Sequence, residues 1–327
     1  MFKHIQRFVL FLVLPLPAPS HGQTQSSVPE AAEPILHPEI TKIAVGFGPQ
    51  GIAFTTGAAW VAYGNAKEFG VARIDTATNQ VVARIATGRW PVGAAAGEGS
   101  VWIVNRDENT VSRIDPESNR VVATIHVGKK PIGIEVAEGS VWVTNSGAGT
   151  VTRIDPHSNT VIASVHVGAA PFGVTCSHGA VWVVNSGRAL SYSGSLEIID
   201  PKSNVVARKI KIPWSNVVLA HGDDVWVGTL EGHVIRVDAR SGAILKRLAL
   251  GPIGGLAASN DAVWAVTNTN GWMWKINAQN DSVTGRVYVG NRPIIFGPGA
   301  DSDGAIWVSS VDDGTVLRVN PEDPDHR

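Results

Sequence analysis

Several residues have types and spacing that could do chemistry. Glu231-Gly232-His233 sets a carboxylate and an imidazole two residues apart in a turn, a pair able to act as general base or as metal ligands. Asp312-Asp313 reads as a hard-cation site or, with greater weight, a hydrated turn. A second group suits binding: Tyr63, Arg89, Trp90, Arg106, Lys129, Lys130, Arg188, Tyr192, Trp214, Trp272, Arg292 and Phe296. Trp, Tyr and Arg anchor ligands well, and stacking beside cationic charge fits single-stranded nucleic acid or anionic glycans. Gly-x-Ser-x-Gly, His-Glu-x-x-His, Cys-x-x-Cys-His and EF-hand spacings are all absent from the sequence. The single Cys176 reads as a small buried apolar residue and cannot form an internal disulfide.

The elements that must position these residues come from a repeat. Trp60, Trp102, Trp142, Trp182, Trp226, Trp264 and Trp307 recur at gaps of 42, 40, 40, 44, 38 and 43 residues. A second marker follows each Trp, as in Arg113-Ile114-Asp115, Arg153-Ile154-Asp155 and Arg236-Val237-Asp238. Small Gly-rich runs precede each Trp, from Gly51–Phe54 to Ile295–Gly299, and read as innermost strands. Six of the units add a long run ending near a Gly or Pro, such as Val161 to Gly168. These runs are rich in Val, Ile and Thr, which suit half-buried strands. Turns such as Asp155-Pro156-His157-Ser158-Asn159 separate them, with Pro presetting φ and Asp capping. Four strands per unit and seven units predict an all-β, seven-bladed β-propeller of four-stranded blades. The last unit lacks its fourth strand, so Ile40 to Gly46 is expected to supply it and close the ring.

In such a ring the turns joining first to second and third to fourth strands share one face, the bottom. The remaining loops form the top, where most of the binding candidates fall. The near-identical bottom turns read as scaffold, and His157, His178 and His221 there read as solvated turn residues. The seven repeat-marker Trp read as filling between blades, whereas Trp90, Trp214 and Trp272 map to top-face loops.

The N-terminus reads as a targeting segment. Lys3 and Arg7 precede the apolar run Phe8 to Leu16, which is too short to span a bilayer, and Ser20-His21-Gly22 supplies small residues for cleavage. Residues 1–22 are therefore expected to be a signal peptide, residues 23–38 a flexible linker with three prolines, and residues 39–327 one propeller domain. Without Lys3 and Arg7, 25 basic residues face 28 acidic ones, a net charge near −3 that is unlike a protein wrapping duplex DNA.

The stretches Val141-Trp142-Val143-Thr144-Asn145-Ser146-Gly147, Gly149-Thr150-Val151, Ile154-Asp155 and Asn159-Thr160-Val161-Ile162-Ala163 resemble the YVTN-type repeat of YncE-like propellers. The resemblance runs from about Ile40 to the end of the sequence. It implies an exported, periplasmic or secreted, non-enzymatic monomer without cofactor or metal. Such a protein would bind a ligand, glycan, peptide or protein at its top face, with single-stranded nucleic acid among the candidates. The Val-Trp-Val and Arg-Ile-Asp-Pro phrasing is also similar to virginiamycin B lyases. They are propellers that use Mg2+ and a His base to open cyclic depsipeptides. That alternative would make His233 and Glu231 catalytic. The family repeat reads Trp-Phe-Thr-Glu, whereas the positions three after each Trp here are Tyr63, Asn105, Asn145, Asn185, Thr229, Thr267 and Ser310.

Overall fold

The computed structural model describes residues 36–65, 67–187, 193–259, 261–295, 297 and 299–321. Their strands pair antiparallel into seven sheets of four, the blades of a β-propeller. The expected signal peptide and most of the expected linker lie outside the described residues. Leu36, near the end of that linker, donates its N–H to Arg286 O at 2.8 Å and packs against Gly285 of blade six.

Blade three shows how the repeat builds a sheet. Its strands are Pro131–Ala137, Ser140–Asn145, Thr150–Asp155 and Thr160–His166, running from the channel outward. The third-to-fourth turn is held by Asp155, whose carboxylate accepts from His157 N at 2.8 Å and Ser158 Oγ at 2.9 Å. These bonds hold the Asp155 carboxyl below its usual pKa. Asn159 completes the turn at φ 57°, a left-handed conformation that Asn tolerates.

The marker Trp and the marker Arg work as one clasp. Trp142 lies opposite Arg153 in the register and is fully buried against Val181 and Val183 of the next blade. The Arg153 guanidinium stacks over its ring at 4.9 Å and donates to Ser140 Oγ at 2.8 Å. It then reaches blade four, donating to Asn204 Oδ1 at 3.0 Å. Arg113 repeats the pattern toward Asn159, Arg73 toward Asn119 and Arg236 toward Asp281. Each clasp thus joins stacking, hydrogen bonding and apolar packing at one blade boundary.

Blade four departs from this pattern because Ile198 stands where the Arg would be. Its boundary with blade five is bridged by Arg208, opposite Ile198 in the register, which donates to Ser241 O, and by His178, whose Nε2 lies 2.8 Å from Asp223 Oδ1, with Arg240 on the same carboxylate at 3.1 Å. His178 is therefore an inter-blade partner, not the solvated turn residue expected, because Asp223 of the next blade lies within reach of its ring.

The ring closes as expected. Glu39–Ala44 pairs with Thr315–Asn320, placing Ile43 opposite Val316 in the last blade. One boundary is corrected: the innermost strand of that blade is Pro293–Ile294, not Ile295–Gly299. Gly297 at φ 125° and Gly299 at φ 73° take the chain out of the strand conformation. Around the channel, inner strands approach closely at equivalent glycines. A Cβ on Gly93 would lie 2.4 Å from Ile132 O, and one on Gly133 would lie 2.2 Å from Phe172 O.

Candidate binding face

Residues from four top-face loops form one connected patch. Gly88-Arg89-Trp90-Pro91 and Gly128-Lys129-Lys130-Pro131 enter blades two and three, with Trp90 at φ 56° and Lys130 at φ 49°. Each loop is locked by backbone bonds to the hairpin loop of its own blade. Arg106 N donates to Trp90 O at 3.0 Å, and Asp107 N to Arg89 O at 3.3 Å. In blade three, Ser146 N donates to Lys130 O and Gly147 N to Lys129 O, both at 3.0 Å. One bond crosses between blades: Lys130 N donates to Asn109 Oδ1 at 2.8 Å.

The charges in this patch are underpaired. Arg89, Lys129 and Lys130 are exposed and Arg106 and Trp90 half-buried. Among the described residues, none of the four cations has a carboxylate within ion-pair distance. Burial pulls the Arg106 guanidinium below its usual pKa, with neighbouring Asp107 partly offsetting this. Trp90 rests its apolar face on the cluster around Val92 and Trp102. The patch can thus offer fixed positive charge beside an aromatic surface. Asp107 and Glu108 lie in the same hairpin loop and limit its net charge.

Other candidates are placed elsewhere. Tyr63 is 4 % exposed, packed between the first and last blades, with Arg84 over its ring at 5.2 Å. It is a core residue because it belongs to the strand Ala58–Gly64, with its ring packed against Gly46. Trp272 starts a strand of blade six, where Tyr288 meets it edge-on at 5.6 Å and Arg286 stacks over it at 4.3 Å. Trp214 is half-buried at the entry to blade five, its carbonyl accepting from Leu230 N at 2.9 Å. Arg292 is paired with Asp312 at 3.3 Å. Arg188, Tyr192 and Phe296 lie outside the described residues.

The expected catalytic pair is split in character. Glu231 is exposed, whereas His233 is half-buried at the start of its strand with its N–H on Thr229 Oγ1 at 2.8 Å. Among the described residues no three His, Cys, Asp or Glu side chains converge to hold a metal. Glu231 and His233 alone do not supply the acidic set that lyase chemistry with Mg2+ calls for. Apart from Tyr63, the positions three after the Trp serve the hairpins instead, as where Asn145 Nδ2 donates to Thr150 Oγ1 at 3.1 Å and Thr152 Oγ1 at 2.8 Å.

Two features escaped sequence reasoning. Phe47 is 57 % exposed at the top-face junction of the last and first blades, its carbonyl accepting from Gly64 N. Glu135 lines the central channel, and burial raises its carboxyl to about 7. Glu135 left a signal, as a charge inside an inner-strand run that is otherwise small and apolar. Cys176 on the neighbouring inner strand is inert, its thiol pushed far up by burial and by the Glu135 and Glu138 carboxyls. The bottom face also carries a groove of about 550 Å³ between blades seven, one and two, near Phe54, Thr55, Thr76 and Ser100. Two of its polar groups are engaged: Thr55 Oγ1 accepts from Trp60 Nε1 and Ser100 Oγ from Arg113 Nε.

The ring and its channel define a seven-bladed β-propeller. No protein-family model and no curated protein sequence matches the chain. Among solved structures the chain is similar to one titled Kuenenia stuttgartiensis Hydrazine Synthase. The TM-score is 0.74 at 16 % identity, covering 92 % of this chain and 100 % of that one, which bears on the fold alone.

Proposed function

We propose that this chain is an exported binding protein of the YncE-like type, gripping an anionic ligand on its top face at the corner of blades two and three. The observation that carries the reading is the backbone-locked patch of Arg89, Arg106, Lys129 and Lys130 beside Trp90, with no carboxylate paired to any of the four among the described residues. Unpaired cations held on rigid loops keep their field for a ligand, and stacking on Trp adds a sequence-tolerant contact. Single-stranded nucleic acid and anionic glycans share this chemistry. The repeat resemblance to YncE-like propellers and the N-terminal targeting pattern support an exported setting.

Titrating a fluorescent single-stranded oligonucleotide tests the nucleic-acid version. The expected outcome is binding at low salt that weakens steeply as salt rises, since counterions are released. The double variant Lys129→Glu with Lys130→Glu should weaken it by about tenfold or more. Absence of binding at low salt ends that version, and a sulfated or uronic-acid oligosaccharide then tests the other.

A further inference from the structure

We infer that the central channel holds one small cation against Glu135. The channel cavity measures about 70 Å³, room for a few water-sized groups. Its wall is mostly Gly, Ala, Val, Ile and Leu, with three polar side chains: Glu135, Thr175 and Asn216. These stand on the inner strands of three successive blades, Pro131–Ala137, Pro171–Ser177 and Ser215–His221. Glu135 and Thr175 are level, each opposite its blade's marker Trp.

All three side chains offer oxygen and none is positively charged; Thr175 Oγ1 also accepts from Ala220 N at 3.3 Å, and Asn216 stands three residues before Leu219, which holds the Glu135 level in its blade. Burial alone accounts for the raised Glu135 carboxyl, so no neighbouring donor or cation compensates it. Asn216 Oδ1 is buried without a hydrogen-bond partner among the described residues. Glu135 is half-buried and makes no hydrogen bond or ion pair with the described residues, so its carboxylate and Asn216 Oδ1 leave oxygens along one cavity open to a donor or cation from outside the chain. A hard cation accepts carboxylate, amide and hydroxyl oxygens together. A primary ammonium has three donors for the same atoms. Both are one small positive charge, and the cavity is too small for a bulky organic cation.

Binding requires Glu135 ionised, so it fades as pH falls below about 7. The other titratable groups nearby are Cys176, on the adjacent inner strand, and Glu138, in the turn following its own strand. The remaining cavity-lining strands bring no titratable side chain to it. This site is separate from the top-face patch and does not depend on its ligand.

Calorimetric titration of chelator-treated protein at pH 8 tests the inference, with calcium chloride in one arm and methylammonium chloride in the other. Saturable binding is expected in one arm, in the roughly 10⁻⁴–10⁻³ M range of sites with few carboxylates. Glu135→Gln should weaken it by about tenfold or more, the effect of losing the one charged ligand. Thr175→Val should weaken it to a smaller degree. Circular dichroism confirms that each variant folds. Binding in the calcium arm identifies an inorganic ion, and binding in the methylammonium arm an ammonium group. Binding in neither arm, or undiminished binding by folded Glu135→Gln, overturns the inference.

Discussion

Glu135 is a carboxyl whose surroundings act against its charge. Its folded pKa of about 7 exceeds the ordinary 4.5, so the native state holds a proton that the unfolded state releases earlier. Stability from this group is therefore greatest at low pH and declines as pH rises from about 4.5 to 7. A shift of this size corresponds to about 3 kcal/mol. Glu135→Gln should accordingly stabilise the cation-free protein by up to about 3 kcal/mol at pH 8 and by little at pH 4.5. Urea unfolding at the two pH values measures this, and equal effects at both would refute it. In sequence Glu135 interrupts a small, apolar inner-strand run, a signal that passed without an expectation attached. That its neighbours leave it without a partner emerged only when seven strands were set around one axis.

At the scale of the element, the unit of stability is the clasp between neighbouring blades. Arg153 makes cation–π contact with Trp142, bonds Ser140 and spans to Asn204. Arg153→Ala should cost about 2–3 kcal/mol in urea unfolding, through lost stacking and bonds left unmade at a buried boundary. Arg153→Lys should recover only part of this, because an ammonium cannot span three sites with a planar fork. The Arg-Ile-Asp marker was legible in sequence as a strand-and-turn signal. Its reach across the blade boundary was not, since Arg153 and Asn204 are 51 residues apart. Nor was the bridge from His178 to Asp223, whose partners are 45 residues apart.

At the scale of the whole molecule, the ring is held shut by pairing the N-terminal strand into the last blade, and each blade keeps one short outer edge. The strand Glu39–Ala44 supplies the fourth strand of the last blade through six paired residues. Deleting residues 39–44 should move the outer edge in to Thr315–Asn320 and remove Ile43 from the cluster between the first and last blades. The expected result is loss of a single cooperative transition and a rise in self-association, read by calorimetry and light scattering. An unchanged melting profile would show that the ring does not depend on this strand.

The sequence alone determined the number of blades, the four-strand unit, the closing strand and the two faces, because a fixed period repeats the same local chemistry seven times. It also marked the cationic and aromatic loop residues. What only the tertiary structure decided is which of them share a surface. Arg89, Trp90, Arg106, Lys129 and Lys130 are joined by backbone bonds between loops, whereas Tyr63 turns into the core and Trp272 is taken up by Tyr288 and Arg286. A repeat specifies each blade from short-range pattern. The contacts that turn a side chain outward or inward come from other strands and loops, as where Lys130 N meets Asn109 Oδ1, 21 residues away in the neighbouring blade.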